Sequence, residues 1–336
     1  MPKGEFLQYG GQAIIEGVMM RSPRFFAVAV RAPNSTIVLQ SEPLEKTWIG
    51  KQKWLMKPFL RGTFALLDAM TLGYKAMQFA SRIQMNPEYQ DPDKATTSKA
   101  AKHEGEKINS IHIGGAMVVG LLIGVALFSF TPNLIAEQAR RIGVESSIAK
   151  SYLAEGVRIV FLLGYLGLIG LMGEIRRVFQ YHGAEHKAIN AFEAEQPLTV
   201  ENCRAQTRLH PRCGTSFAII VLLVSLLLFP LVPRYPVPGL NDFLNTVVRV
   251  GVELIIMPII AGISYELIRF AGRFKNQAFV KVLFWPGLMS QYLSTREPTD
   301  DQIEVAITAL QACIDAENPA LASEPTPVET PQPVAG

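Results

Sequence analysis

Residues 215–233, TSFAIIVLLVSLLLFPLVP, carry no charged side chain over a length that matches the hydrocarbon core of a bilayer. A helix needs about 20 apolar residues to cross about 30 Å of hydrocarbon. Of the 336 residues, 49% are hydrophobic and only 18% are charged, a balance typical of integral membrane proteins. Three further runs are similarly long and apolar: 111–130, 157–173 and 247–268. The sequence therefore predicts an α-helical multi-pass membrane protein with about four spans.

Basic side chains are distributed unevenly among the segments that join these runs. Segment 174–214 carries six Arg and Lys residues, whereas 234–246 carries only Arg234. Because cytoplasmic loops are enriched in Arg and Lys, we expect 174–214 to lie in the cytoplasm, and an even number of spans then places both termini there. The expected location is a cell membrane of the inner, plasma or thylakoid type.

The partners that this composition favours are lipids and other proteins in the membrane. The lipid bilayer is the first expected partner, and the sequence leaves open other membrane proteins or a second copy of the chain. The net charge is only +3, and no basic stripe is interleaved with aromatic residues. Nucleic acid is therefore not expected as a partner.

The parts outside the apolar runs divide by composition. Segments Phe25–Arg31 and Thr36–Leu39 flank a Pro-Asn turn, which predicts a β-hairpin. The glycine-rich stretch Gly10–Arg21 is either another short strand or a segment buried against the membrane domain. The predicted organisation is an N-terminal soluble part (1–57), an amphipathic surface helix (58–84), a polar linker (85–110), a four-span membrane domain (111–270), cytoplasmic C-terminal helices (271–315) and a disordered tail (316–336).

Two groups of candidate metal ligands adjoin the second and third apolar runs. His182 and His186 lie four residues apart, and His210 and Cys213 directly precede residue 215. Histidines at i and i+4 project from one side of a helix, and imidazole with thiolate suits a divalent metal, zinc above all. Glu185 completes the inverted zincin pattern H-x-x-E-H and is the expected general base. Expected supporting residues are Glu16, Arg212 and Glu266.

These residues allow more than one function. The first hypothesis is a metal-dependent hydrolase, and the second is a non-catalytic membrane assembly or scaffold protein with a structural metal site. Hydrogen-bonded structural histidines without a metal are a further reading. Glu253 and Glu266 lie inside the fourth apolar run, where they either serve a transporter or pair with Arg249 and Arg269 on the same helix.

At these motifs the chain resembles the YqhQ-like family, bacterial integral membrane proteins grouped as domain of unknown function 1385 and predicted to be metal-dependent enzymes. The resemblance covers roughly residues 8–315. It implies a multi-pass membrane protein of bacterial or plastid type. Its motifs imply a site of His182, Glu185, His186, His210 and Cys213, and a second cluster of Gly11, Gln12, Glu16 and Arg21. The segments that carry it are 10–23, 61–62, 179–187 and 210–217.

Overall fold

The N-terminal part of the chain forms a four-stranded antiparallel sheet. The computed structural model describes residues 9–44, 57, 60–90, 110–273 and 277–318. The predicted hairpin is confirmed, and the stretch Gly10–Arg21 forms a second hairpin in the same sheet, so it is a strand pair rather than an irregular segment. The strands are β1 (Gly10–Ile14), β2 (Gly17–Arg21), β3 (Phe25–Arg31) and β4 (Ile37–Pro43), in the order β1-β2-β3-β4.

Ten α-helices follow the sheet in the described part of the chain. A π-helical segment, Ala126–Phe130, joins the second helix to the third. The predicted polar linker and tail lie largely outside the described residues, at 91–109 and 319–336. The helices are α1 (Leu60–Met85), α2 (Ser110–Val125), α3 (Thr131–Gln138), α4 (Ser147–Ile169), α5 (Gly173–Glu193), α6 (Val200–Ala205), α7 (Gly214–Leu228), α8 (Asp242–Arg273), α9 (Ala278–Ser294) and α10 (Asp300–Glu317).

Helices cover both faces of the sheet. Successive side chains of a strand point to opposite faces, and β2 and β3 are apolar at nearly every position. Val18 and Ala29 pack with residues of α5 and α10 in one core. Met19 and Val28 pack with Leu72, Phe79 and other residues of α1 in a second core. Because both faces are covered, these strands lack the polar alternation of a sheet with one face in water.

Four helical stretches are long and apolar enough to cross a membrane. They contain the predicted runs in large part, and this agreement suggests membrane association. Large apolar side chains stay exposed along them, including Leu121, Leu168, Leu227 and Ile255. Surface of this kind needs an apolar cover, and a bilayer provides one. The stretches are Val118–Ile142, Ser147–Ile169, Gly214–Leu231 and Asp242–Phe270.

The buried charged side chains inside these stretches form ion pairs. Glu253 accepts hydrogen bonds from Arg249 (3.0 Å), Arg158 (2.9 Å) and Asn133 (3.2 Å), and it is buried. The predicted pairing of Glu253 with Arg249 is thus confirmed. The network explains why helices α3 and α4 extend beyond the apolar runs, since their polar residues are satisfied inside the protein.

Helix α1 connects the sheet to the fourth candidate span. Arg61 donates to both carboxylate oxygens of Glu266, at 2.5 and 2.6 Å. At Gly62, an added Cβ would lie 2.6 Å from the Cβ of Tyr265, so the two helices meet closely. Farther along α1, Asp68 pairs with Arg21 of β2. The charged residues Arg61 and Asp68 of this helix therefore form tertiary contacts.

Candidate metal centre

Helix α5 and the start of α7 bring three candidate ligands together. His182 and His186 lie one turn apart on α5, with ring centroids separated by 4.4 Å. Cys213 is the N-cap residue of α7, and its Sγ lies 3.1 Å from Nε2 of His182. One donor atom from each of the three residues lies within 4.8 Å of the other two. The three side chains therefore form a compact N, N, S donor set.

Backbone carbonyls orient both imidazole rings. Nδ1 of His182 lies 2.9 Å from the carbonyl oxygen of Ser294, and Nδ1 of His186 lies 2.6 Å from that of Arg208. A carbonyl oxygen only accepts, so each Nδ1 carries a hydrogen, and it is the neutral form of each ring that presents the lone pair of Nε2 to the cluster. Nε2 of His186 is buried and has no hydrogen-bond partner among the described residues. A nitrogen without a hydrogen-bond partner next to the Cys213 thiol suits a borderline-soft metal ion such as zinc.

The electrostatics of the cluster favour the thiolate form of Cys213. Burial acts to raise the pKa of this thiol, but His182 and His186 outweigh it and hold the pKa well below its usual value. Burial acts to lower the pKa of His182, yet Cys213 and Glu185 raise that pKa to about 9. The thiolate is the form of cysteine that ligates metals.

Glu185 lies beside this cluster and is not part of it. Its carboxylate does not belong to the group of donor atoms that meet within 4.8 Å. Burial raises the pKa of Glu185, while His186 and His182 act to lower it. The backbone N–H of Gly11, in β1, also acts to lower the pKa of this carboxyl group. Oε2 is buried and has no hydrogen-bond partner among the described residues.

His210 lies next to the donor set and is not part of it. Its ring centroid is 5.6 Å from that of His186, and its Nε2 is 3.5 Å from Oε1 of Glu193. Burial lowers the pKa of His210, which favours the neutral ring. Arg212 pairs with the same Glu193 carboxylate. The structure thus brings together three of the four predicted ligands, and it places His210 and Arg212 with Glu193.

The two predicted supporting carboxylates are held in ion pairs away from the donor set. Glu16 accepts from Arg177 at 2.5 Å through both oxygens, and from the Tyr181 hydroxyl at 3.2 Å. Glu266 is held by Arg61. The carboxylate that faces the histidines is that of Glu185.

Several residues of the site carry no ligand-like signal in the sequence. Ser294 and Arg208 act through backbone carbonyls, which any residue type supplies. The side chain of Gln291 forms two hydrogen bonds with the backbone of His210: it accepts from the N–H at 2.8 Å and donates to the carbonyl oxygen at 2.7 Å. Gly183, a glycine inside a helix, could have indicated from the sequence that another segment comes close. An added Cβ on Gly183 would clash with the carbonyl oxygen of Arg296. Helix α5 can approach that segment only because residue 183 has no side chain.

Comparisons with known proteins agree with the resemblance of the motifs. The family described as "Protein of unknown function (DUF1385)" matches residues 57–316. The "Uncharacterized protein YqhQ" of Bacillus subtilis (strain 168) is 34% identical over 312 residues, which cover 92% of this chain and 93% of that protein. No solved structure matches the chain. Because the family match extends over most of the sequence, this chain belongs to the DUF1385 family.

Proposed function

We propose that this protein is a membrane-associated, zinc-dependent hydrolase. The observation that carries the proposal is a donor set of three residues with a buried carboxylate next to it. Structural zinc sites use four protein ligands, whereas catalytic sites use three and keep one position for water or substrate. His182, His186 and Cys213 supply three, and His210 lies outside the group of donor atoms that meet within 4.8 Å.

Each residue has a defined task in this proposal. His182 and His186 would hold the ion through Nε2, and Cys213 would hold it through Sγ. A bound zinc ion acts as a Lewis acid and makes water a nucleophile near neutral pH. Glu185 accepts the proton of the attacking water on its unpartnered Oε2 and returns it to the leaving group. The Ser294 and Arg208 carbonyls keep the two rings in the ligating tautomer.

The position of the site favours a substrate at the bilayer surface, either lipid or peptide. Cys213 directly precedes the candidate span Gly214–Leu231. Leu171 and Met172, between α4 and α5, are exposed and apolar. With the basic residues of segment 174–214, these features support a site on the cytoplasmic face of the membrane. The bilayer is the main partner in this proposal, with other membrane proteins or a second copy as further partners.

Metal analysis of the full-length protein in lipid nanodiscs tests the proposal directly. We expect close to one zinc per chain in the wild type. Cys213→Ser should lose the metal, and Cys203→Ser should keep it, because Cys203 is also buried but packs in the core between the sheet and α5. A wild-type protein that is folded and free of metal after purification in zinc-containing buffer would overturn the proposal.

Glu185→Gln separates catalysis from metal binding. The variant keeps all three ligands, so it should retain zinc. It removes the proton acceptor, so hydrolysis of an ester probe such as p-nitrophenyl butyrate should fall by about 10²- to 10⁴-fold. Wild-type hydrolysis by the zinc-loaded variant would remove Glu185 from the mechanism.

A structural metal site is the second candidate function. His186 and Cys213 are almost completely buried, as ligands of closed structural sites are, and they tie α5 to the start of α7. In this alternative, Cys213→Ser lowers the thermal stability of the whole protein, and Glu185→Gln leaves cellular function intact. The transporter hypothesis has less support, because Glu253 and Glu266 are both engaged by arginines.

A further inference from the structure

The β1–β2 hairpin packs directly on the side chain of Glu185. An added Cβ on Gly11 would lie 2.9 Å from both Cγ and Cδ of Glu185, and 2.7 Å from the carbonyl oxygen of Met19. The preceding glycine differs, since among the described residues nothing would lie within 4 Å of a Cβ on Gly10. Of the two glycines, only Gly11 makes room for Glu185.

Glu16 attaches the turn of this hairpin to the same helix that carries Glu185. Its carboxylate binds Arg177 and Tyr181, which lie two turns and one turn before Glu185 on α5. Glu16 has a φ of 50°, a left-handed conformation that residues other than glycine rarely adopt. A glutamate at this strained position indicates that its side chain is needed there. These hydrogen bonds of Glu16 hold the hairpin, and with it β1, against the turn of α5 that carries Glu185.

We infer that Gly11 is a positioning residue for Glu185, and that the Gly10–Arg21 hairpin belongs to the catalytic machinery. The inference rests on the proposed hydrolase function. The absent side chain of residue 11 leaves the space that Cγ and Cδ of Glu185 occupy. Among the described residues, Oε2 has no hydrogen-bond partner, so it is free to take a proton. A side chain at position 11 would push the carboxyl group out of this position.

Four variants of the full-length protein in nanodiscs test the inference: Gly11→Ala, Gly10→Ala, Glu185→Asp and Gly11→Ala/Glu185→Asp. The measurements are zinc per chain, melting temperature, and kcat and KM for p-nitrophenyl butyrate. Gly10→Ala is the matched control and should behave as the wild type. Gly11→Ala should keep its zinc, because the atoms nearest to an added Cβ belong to Met19 and Glu185 and not to a ligand. It should lose about 10²-fold in kcat with KM unchanged, the size expected for a displacement of about 1 Å.

Rescue by the shorter carboxylate distinguishes positioning from general damage to the fold. Glu185→Asp withdraws the carboxyl group by one methylene, so the double variant should have a higher kcat and a higher melting temperature than Gly11→Ala alone. The inference is overturned if Gly11→Ala matches Gly10→Ala, or if Glu185→Asp rescues neither quantity. If the wild type binds no zinc, the proposed function fails, and rescue of the melting temperature still decides whether residue 11 positions residue 185.

Discussion

Gly183→Ala should weaken zinc binding although residue 183 is not a ligand. The substituted Cβ would meet the carbonyl oxygen of Arg296 at 2.1 Å, and an ordinary contact begins at 3.4 Å. Helix α5 and the segment at Arg296 must therefore move apart by more than an ångström. That segment begins at Ser294, whose carbonyl orients the ring of His182. The substitution separates His182 from the acceptor that holds its ring.

Two opposing contributions determine how much Gly183→Ala changes the free energy of unfolding. Alanine in place of glycine stabilises a helix interior by up to about 1 kcal/mol. Overpacking a close contact costs about 1–3 kcal/mol, so the clash outweighs the gain in helix propensity. The net loss, up to about 2 kcal/mol, corresponds to a fall in melting temperature of up to about 3 °C for a chain of this size. Loss of an outer-shell partner of a ligating histidine typically weakens metal binding by about 10- to 100-fold.

Thermal melting and zinc competition against a fluorescent chelator measure the two effects. Gly173→Ala is the matched control, because it lies on the same helix and a Cβ there meets nothing within 4 Å. It should melt at or slightly above the wild-type temperature and bind zinc normally. Suppose that Gly183→Ala also melts like the wild type and binds zinc with wild-type affinity. The close approach of α5 to the Arg296 segment then does not determine the orientation of the His182 ring, and the prediction is refuted.

Two further predictions concern ion pairs outside the metal centre. Glu253→Gln leaves Arg249 buried without its carboxylate, whereas Arg158 keeps the carboxylate of Glu155. The substitution should destabilise the protein by about 3–5 kcal/mol in detergent unfolding assays, and the exposed Asp242→Asn on the same helix should have little effect. Equal stability of the two variants would contradict the network. Glu317 tests pH dependence: burial acts to raise its pKa, but hydrogen bonds from Ser22 and Arg24 hold the pKa below its ordinary value near 4.5. The stabilisation of the folded state by ionised Glu317 is therefore fully present above that value and is lost as the pH falls through the lower pKa of the folded protein. The difference in melting temperature between the wild type and Glu317→Gln should be largest at about pH 6 and should shrink below about pH 4.5. A difference that grows on acidification would contradict this sign.

Local sequence patterns were sufficient for the parts of the fold that depend on local physics. Long apolar runs predict the four long helices, since apolar composition over about 20 residues is a property of the segment itself. The end of the first run and the start of the second were harder to predict. Glu137 and Lys150 look like reasons to end a span, and only their buried partners show that the helices include them.

The same distinction applies to the candidate site. The spacing of His182 and His186 places both on one face of a helix, because four residues make about one turn. The spacing does not decide between His210 and Cys213 as the third ligand. That choice depends on the start of α7, which holds Cys213 within 3.1 Å of His182, whereas the ring centroid of His210 lies 5.6 Å from that of His186.

The sequence by itself determined the apolar helices, the β-hairpin and the pair of histidines, because helical and strand periodicity, turn residues and apolar length act over a few neighbouring residues. Only the tertiary structure decided how the Gly10–Arg21 hairpin, the Ser294 carbonyl and Cys213 surround Glu185 and His182. These contacts join residues far apart in the chain, and they depend on backbone groups and on absent side chains. No local pattern encodes such contacts, because the approach of separate segments decides which backbone groups meet.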